Sequence, residues 1–324
     1  MPIYIIMKTA YLKLFRLPNL PTAPGDALAG AAFALCFALN KGVIKFADVS
    51  SSWLSITIIA SALAALFLYM YGLADNDIVG VNEDIANNSP RPIVLGELTL
   101  NQAKIARAIC LVLACGIGLV AKLSLEWFIG AVGIVACVWF YNRFKNKCKL
   151  IGLLAMGLCR SMSLLAGALA VYGAFRCEGM GFSFPYEIIY LMLGWTGYIA
   201  AVTYLAYDEH NAKVGLGFHY YLLGIVSLIP ILGVLAFPPV FRLLPIIVCA
   251  FMFVRWIIVL APLKKEHTPA DRRKAVGQTI SALIYLQLGF ALMPQLPVFY
   301  VPMLICFAAA YVIKASKART ISGS

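Results

Sequence analysis

The sequence predicts an all-α, polytopic membrane protein with nine or ten transmembrane helices, and three observations predict it. Hydrophobic residues make up 62% of the chain and charged residues only 12%, with a mean hydropathy of +0.89. Soluble domains carry about 25% charged residues. Ten stretches approach the ~20 apolar residues that a bilayer-crossing helix needs. Finally, Lys and Arg concentrate in alternate connecting segments, as the positive-inside rule requires of a multi-pass protein.

The expected spans lie near residues 23–40, 54–73, 104–121, 125–142, 150–173, 187–207, 217–236, 241–262, 274–293 and 297–314. The first is short, with Pro21, Pro24 and Asp26 at its start. The last two are separated only by Pro294-Gln295-Leu296-Pro297, which sets the range at nine or ten. With the N-terminus inside, nineteen Lys and Arg fall in inner segments and five in outer ones, while Arg160 and Arg255 fall within spans. This bias puts both termini on the cytoplasmic side. It also accounts for the net charge of +12, so a nucleic-acid partner is not needed to explain it.

Residues 1–324 read as one transmembrane domain, with no long linker and no low-complexity stretch. Met1 to Ile6 is too short for a cleavable leader and is followed, not preceded, by basic residues, so the first span is expected to be retained. Seven of the nine cysteines sit inside apolar runs and none forms a CxxC pair, the pattern of small buried hydrophobes in a reduced setting.

The informative segment follows span 2. Leu54 to Leu73 carries no charge, and then come Asp75, Asn76, Asp77, Glu83, Asp84, Arg91-Pro92 and Glu97. Carboxylates clustered at the end of a membrane helix need partners. Asp77 and Asp84 lie seven residues apart, two helical turns, and so share a face. Asn76 adds a neutral oxygen. Mg²⁺ typically takes one or two protein carboxylates together with phosphate oxygens, so a divalent cation holding a diphosphate fits this spacing. A second acidic cluster, Asp208-Glu209 followed by His210 and Asn211, closes span 6 on the same side.

Arg and Lys grip phosphate oxygens. Arg91 lies in the first acidic loop, Tyr141, Arg143 and Lys145 lie between spans 4 and 5, and Arg16 and Asn19 precede span 1. Lys147, Lys149, Lys264 and Lys265 read instead as topology signals. Arg160 sits mid-span. An intramembrane arginine indicates function, and the alternative is a buried pair with Asp26. Asp26 itself, just after Gly25, has the position of a helix N-cap. Arg255 reads as structural. Three histidines without metal-ligand spacing do not make a zinc site.

These residues resemble the aspartate-rich motif of the UbiA superfamily of intramembrane prenyltransferases, Asn-Asp-x-x-Asp-x-x-x-Asp with Arg-Pro further on. Asn76, Asp77, Asp84, Arg91 and Pro92 fall in register, with Gly80 where the motif has its middle aspartate. The resemblance runs along nearly the whole chain. Arg16-Leu-Pro-Asn-Leu-Pro-Thr-Ala-Pro-Gly-Asp26, Met156-Gly-Leu-Cys-Arg160 and Thr203-Tyr-Leu-Ala-Tyr-Asp-Glu209 are most similar to the EboC-like branch.

The resemblance implies a ring of about nine transmembrane helices around a central cavity. The implied reaction is Mg²⁺-dependent transfer of a prenyl group from a polyprenyl diphosphate to a hydrophobic, usually aromatic, acceptor. Metal ligands would be Asn76, Asp77, Asp84, Asp208 and Glu209, of which Asp77, Asp84 and Asp208 would be catalytic. Arg16, Asn19, Arg91, Tyr141, Arg143, Lys145 and Arg160 would hold the diphosphate. Gly80 and the thin second cluster favour an alternative: a non-catalytic relative that binds or moves a lipid or hydrophobic precursor.

Overall fold

A computed structural model describes residues 3–45, 52–179, 183–207, 215–265 and 267–322. Among these residues all regular structure is helical. Helix α1 (Ile3–Leu14) leads through a 3-10 segment (Leu17–Thr22) into α2 (Ala23–Asn40). Then follow α3 (Ser52–Val79), α4 (Val81–Ala86), α5 (Leu100–Val120), α6 (Leu125–Phe144), α7 (Lys149–Cys177) and α8 (Ile188–Tyr207). Short α9 (Phe218–Leu222) and α10 (Pro230–Val234) flank a 3-10 stretch, and α11 (Pro239–Leu260), α12 (Pro269–Ala291) and α13 (Pro297–Ser322) complete the chain.

Seven helices among the described residues are long and apolar enough to cross a membrane, and they match seven of the ten expected spans. The other three depart for identifiable reasons. The span expected near 217–236 is broken between α9 and α10, where Pro230 supplies no N–H to a continuous helix. Helix α12 has the length, but Asp271, Arg272, Arg273 and Lys274 occupy its first turns. The apolar part of α13 is short, from Pro297 to Ile313.

Helix starts follow the local chemistry. Thr99 and Gln102 form a capping box on α5, and Thr268 and Asp271 form one on α12. Ser124 caps α6 by accepting from the Trp127 N–H. Each satisfies otherwise orphaned amides at a helix N-terminus.

Helices α2 and α7 are the spine. Residues 27–38 of α2 are all buried, and Ala and Gly dominate them. Small residues let helix backbones approach closely in a membrane. The approach here is mutual: a Cβ on Gly30 would sit 1.9 Å from the Leu164 carbonyl oxygen, and one on Gly167 would sit 2.0 Å from that of Ala27. Two hydrophobic clusters flank the spine. One joins α2 and α7 to α8 and α11–α13, and the other joins α3, α5, α6 and α7. Outward faces of α5 and α11 expose Val112, Leu119, Leu243 and Ile258, as lipid contact requires.

A cavity of ≈ 100 Å³ lies among α2, α3, α6 and α7. Four helices line this cavity, while α8 packs chiefly on α7 and α12 packs on α2.

Candidate active site

The acidic segment is helical. Helix α3 runs six residues past the expected span end, so Asp75, Asn76 and Asp77 occupy its last turns and are buried. Gly80 separates α3 from α4, yet the ladder continues across it. The Gly80 N–H donates to the Asn76 carbonyl (2.9 Å) and the Asp84 N–H to the Gly80 carbonyl (2.9 Å). Asp77 and Asp84 consequently keep the common face that their spacing implies.

Arg91 ties them together. Its Nη1 pairs with Asp77 Oδ1, and its Nε lies 3.2 Å from Asp84 Oδ1. Arg16 Nη2 approaches the same Asp77 oxygen at 3.3 Å. Arg16 reaches it from the α1–α2 connection, where it adopts a left-handed φ of 46°. Lys145, at the end of α6, donates to Asn76 Oδ1 at 2.8 Å and lies 5.7 Å from the Tyr141 ring centroid. Asn76, Asp77, Asp84, Arg16, Arg91, Tyr141 and Lys145 thus converge at one end of the cavity. Arg16, Asn76 and Tyr141 form part of its wall. Leu68, Ile134, Val138 and Met156 continue the lining as an apolar chamber.

Crowding perturbs Asp84 and Lys145, which lie beyond the spans. Burial, reinforced by Asp77, pushes the Asp84 carboxyl above its ordinary range against the pull of Arg91 and Lys145. Burial, reinforced by the Arg91 and Arg16 guanidinium groups, pulls the Lys145 ammonium below its ordinary range.

The remaining acids separate from this group. Asp75, 1% exposed, points the other way. It accepts from Arg107 Nη1 (2.7 Å), Asn142 Nδ2 (2.8 Å) and Arg143 Nη1 (3.4 Å), binding α3 to α5 and α6. Arg143 is therefore turned to Asp75, with its guanidinium also over Trp139, and not to the Asp77–Asp84 face. Glu83 accepts from Asn146, and Glu97 pairs with Lys13.

Arg160 is placed deeper. Its Nε lies 2.6 Å from Asp26 Oδ2, and its Nη2 donates to the Thr22 carbonyl at 2.8 Å. Its guanidinium also lies 5.2 Å from the centroid of the Tyr69 ring. Asp26 further accepts from Trp195 Nε1 (3.0 Å) and Gln287 Nε2 (2.6 Å). The N-cap reading of Asp26 is corrected by this network: α2 begins at Ala23, and Asp26 sits a turn inside it with buried partners. Both Asp26 and Arg160 border the cavity. Sequence reasoning missed Trp195 and Gln287, since nothing local marks a tryptophan and a glutamine as partners of an aspartate more than 150 residues away.

Asn19 is not in the cavity wall. It lines a separate cleft against α12 and α13. Asp208 and Glu209 lie outside the described residues.

The sequence profile of the UbiA prenyltransferase family matches residues 27–276. The chain belongs to that family. No curated protein matches it in sequence. Among solved structures, that of digeranylgeranylglyceryl phosphate synthase is similar, with 20% identity over 89% of this chain and 98% of that one and a TM-score of 0.54. A UbiA homolog from Archaeoglobus fulgidus bound to DMAPP and Mg²⁺ shows 15% identity over 94% and 98%, with a TM-score of 0.44. The same homolog bound to GPP and Mg²⁺ shows 16% identity over 94% and 99%, with a TM-score of 0.43. At 20% identity, the likeness to the synthase is one of fold. It gives this UbiA family member an all-helical, multi-pass membrane architecture of the same kind.

Proposed function

We propose that this protein is a Mg²⁺-dependent intramembrane prenyltransferase that moves a prenyl group from a polyprenyl diphosphate to a hydrophobic, aromatic acceptor. Residues 1–324 form one UbiA-like transmembrane unit of nine or ten spans. Both termini and both acidic motifs face the cytoplasm, and the sequence pieces described above liken the chain to the EboC-like branch. The observation that carries the reading is Arg91 bridging Asp77 and Asp84 at the charged end of an apolar chamber.

The donor set suits a hard divalent ion. Two carboxylates and the Asn76 amide converge, and Mg²⁺ takes its remaining ligands from phosphate and water. Asp77, Asp84 and Asn76 would hold it, with Asp208 and Glu209 contributing from the second motif. When bound, the ion neutralises charge on the diphosphate and so eases its departure. Arg16, Arg91 and Lys145 stabilise the same charge through hydrogen bonds, an effect that is largest in a site shielded from water. The prenyl chain lies along Leu68, Ile134, Val138 and Met156. The allylic C–O bond breaks with its electron pair leaving on pyrophosphate. The acceptor then bonds to the allylic carbon and loses a proton.

The test is Mg²⁺-dependent release of pyrophosphate by purified protein from geranyl, farnesyl and geranylgeranyl diphosphates, with an extract of aromatic acceptors. Release is expected to fall by about 10²–10³-fold in Asp77→Ala. Gly80 supports a second reading, a relative that binds or moves a lipid without catalysis, since it removes a carboxylate from the motif. Among the described residues there is no cluster of three or more His, Cys, Asp or Glu able to hold a metal. Binding of prenyl diphosphate without release under every acceptor condition would favour that reading.

A further inference from the structure

Helix α12 has a polar stripe that the active site does not use. Asp271, Lys274, Gln278, Ser281 and Tyr285 recur at three- and four-residue spacing, which puts them on one face. Their neighbours Ala275, Thr279, Ala282 and Leu286 face the core. A polar stripe running into a membrane span is costly unless something covers it.

Two recesses lie end to end along this stripe. A chamber of ≈ 560 Å³ at the start of α12 is walled by Arg255, His267, Asp271, Lys274 and Gln278. A narrower cleft of ≈ 80 Å³ continues beside Ser281, Tyr285, Phe307 and Tyr311 toward Asn19. Arg255 borders both.

The basic groups there keep unused hydrogen-bonding capacity. Arg255 lies 5.5 Å from the Tyr285 ring centroid, and its buried Nε makes no hydrogen bond. None of the ion pairs among the described residues includes Arg255 or Lys274. His267, 8% exposed, has its Nδ1 against the Lys265 carbonyl and its buried Nε2 without a partner. The chamber's acid, Asp271, is engaged in the Thr268 capping box. With Arg255 and Lys274 against Asp271, the chamber carries excess positive charge. A cationic chamber leading into an aromatic, apolar cleft matches a molecule with an anionic head and an apolar tail.

We propose that the groove along α12 binds an anionic phospholipid of the bilayer. Its phosphate would sit between Arg255 and Lys274, and an acyl chain would lie in the cleft toward α13. The site is separate from the Asp77–Asp84 centre and does not depend on the catalytic reading. The test is native mass spectrometry and thermal unfolding of the full chain in detergent. The probes are phosphatidylglycerol, phosphatidylcholine and inorganic phosphate. Phosphatidylglycerol is expected to be retained in preference to phosphatidylcholine and to raise Tm by roughly 2–4 °C. Both effects should be lost in Arg255→Gln and reduced in Lys274→Gln. Lys274 is exposed, so that variant decides the matter if Arg255→Gln does not fold. Equal retention of both lipids, or retention unchanged in the variants, would overturn the proposal. An equal Tm rise with inorganic phosphate alone, and no lipid retained, would overturn the lipid assignment in favour of a free anion.

Discussion

At the scale of single residues, the proposed function makes position 80 a determinant of metal affinity. A Cβ there would lie 3.6 Å from Asp84 Oδ2 and 3.9 Å from Asn76 Oδ1, so the side chain this glycine lacks would point among the other donors. Gly80→Asp is expected to lower the Mg²⁺ concentration for half-maximal pyrophosphate release by about tenfold, or ~1.4 kcal/mol. A Mg²⁺ titration of both proteins checks this, and an unchanged midpoint would place the ion elsewhere. On the proposed function, Lys145 is expected to set the alkaline limit of activity. With its ammonium held below the ordinary lysine range, it loses its proton earlier as pH rises, and a neutral amine cannot grip diphosphate. Asp84 is expected to set the acid limit by the opposite sign: a raised carboxyl takes up its proton earlier as pH falls. Lys145→Arg should move the alkaline limb upward, because guanidinium stays charged. Lys145→Gln should raise KM for the diphosphate about tenfold. The pH profile of KM separates these outcomes from simple misfolding. The convergence of Asp77, Asp84 and Arg91 was legible in their spacing, because a nearly continuous helix preserves phase. The direction of Arg143 was not, because its partner Asp75 belongs to another helix 68 residues earlier.

At the scale of elements, unbroken apolar runs told their own story, and interrupted ones did not. The charge-free stretch of α3 from Leu54 to Leu73 and strongly apolar α11 lie where hydropathy puts them. The breaks between α9 and α10 depend on packing: the Pro230 ring comes so close to α8 that a Cβ on Gly194 would lie 2.3 Å from it. The α2–α7 crossing makes a sharper demand. Gly30 and Gly167 each stand against a carbonyl oxygen of the other helix, and a backbone cannot yield as a flexible side chain can. Gly30→Val or Gly167→Val is expected to cost about 3 kcal/mol or more, at or above the upper end for overpacked cores. Gly116→Ala, where a Cβ meets nothing within 4 Å, should cost little. Thermal unfolding of the three variants in detergent measures the contrast, and equal losses would mean that the helices slide apart to accommodate the methyl groups.

At the scale of the molecule, Asp26 adds a polar tie among four segments that hydrophobic packing already brings together. It belongs to α2 and receives Arg160 from α7, Trp195 from α8 and Gln287 from α12. Arg160 and Gln287 also share the Thr22 carbonyl, at the end of the 3-10 segment that follows Arg16. The cavity wall, helices α8 and α12 and the strand of chain carrying Arg16 are therefore held at one point in a low-dielectric interior. Breaking one partner of such a pair strands the other charge, at a cost of about 3–5 kcal/mol, whereas removing both charges costs far less. Asp26→Asn alone should thus be strongly destabilising, and Asp26→Asn combined with Arg160→Gln should recover much of the loss. The recovered double variant also separates the two roles open to Arg160. If Arg160 serves only to position α2, prenyl diphosphate affinity returns with stability. If its guanidinium also meets the substrate, stability returns while KM for the diphosphate stays about tenfold raised.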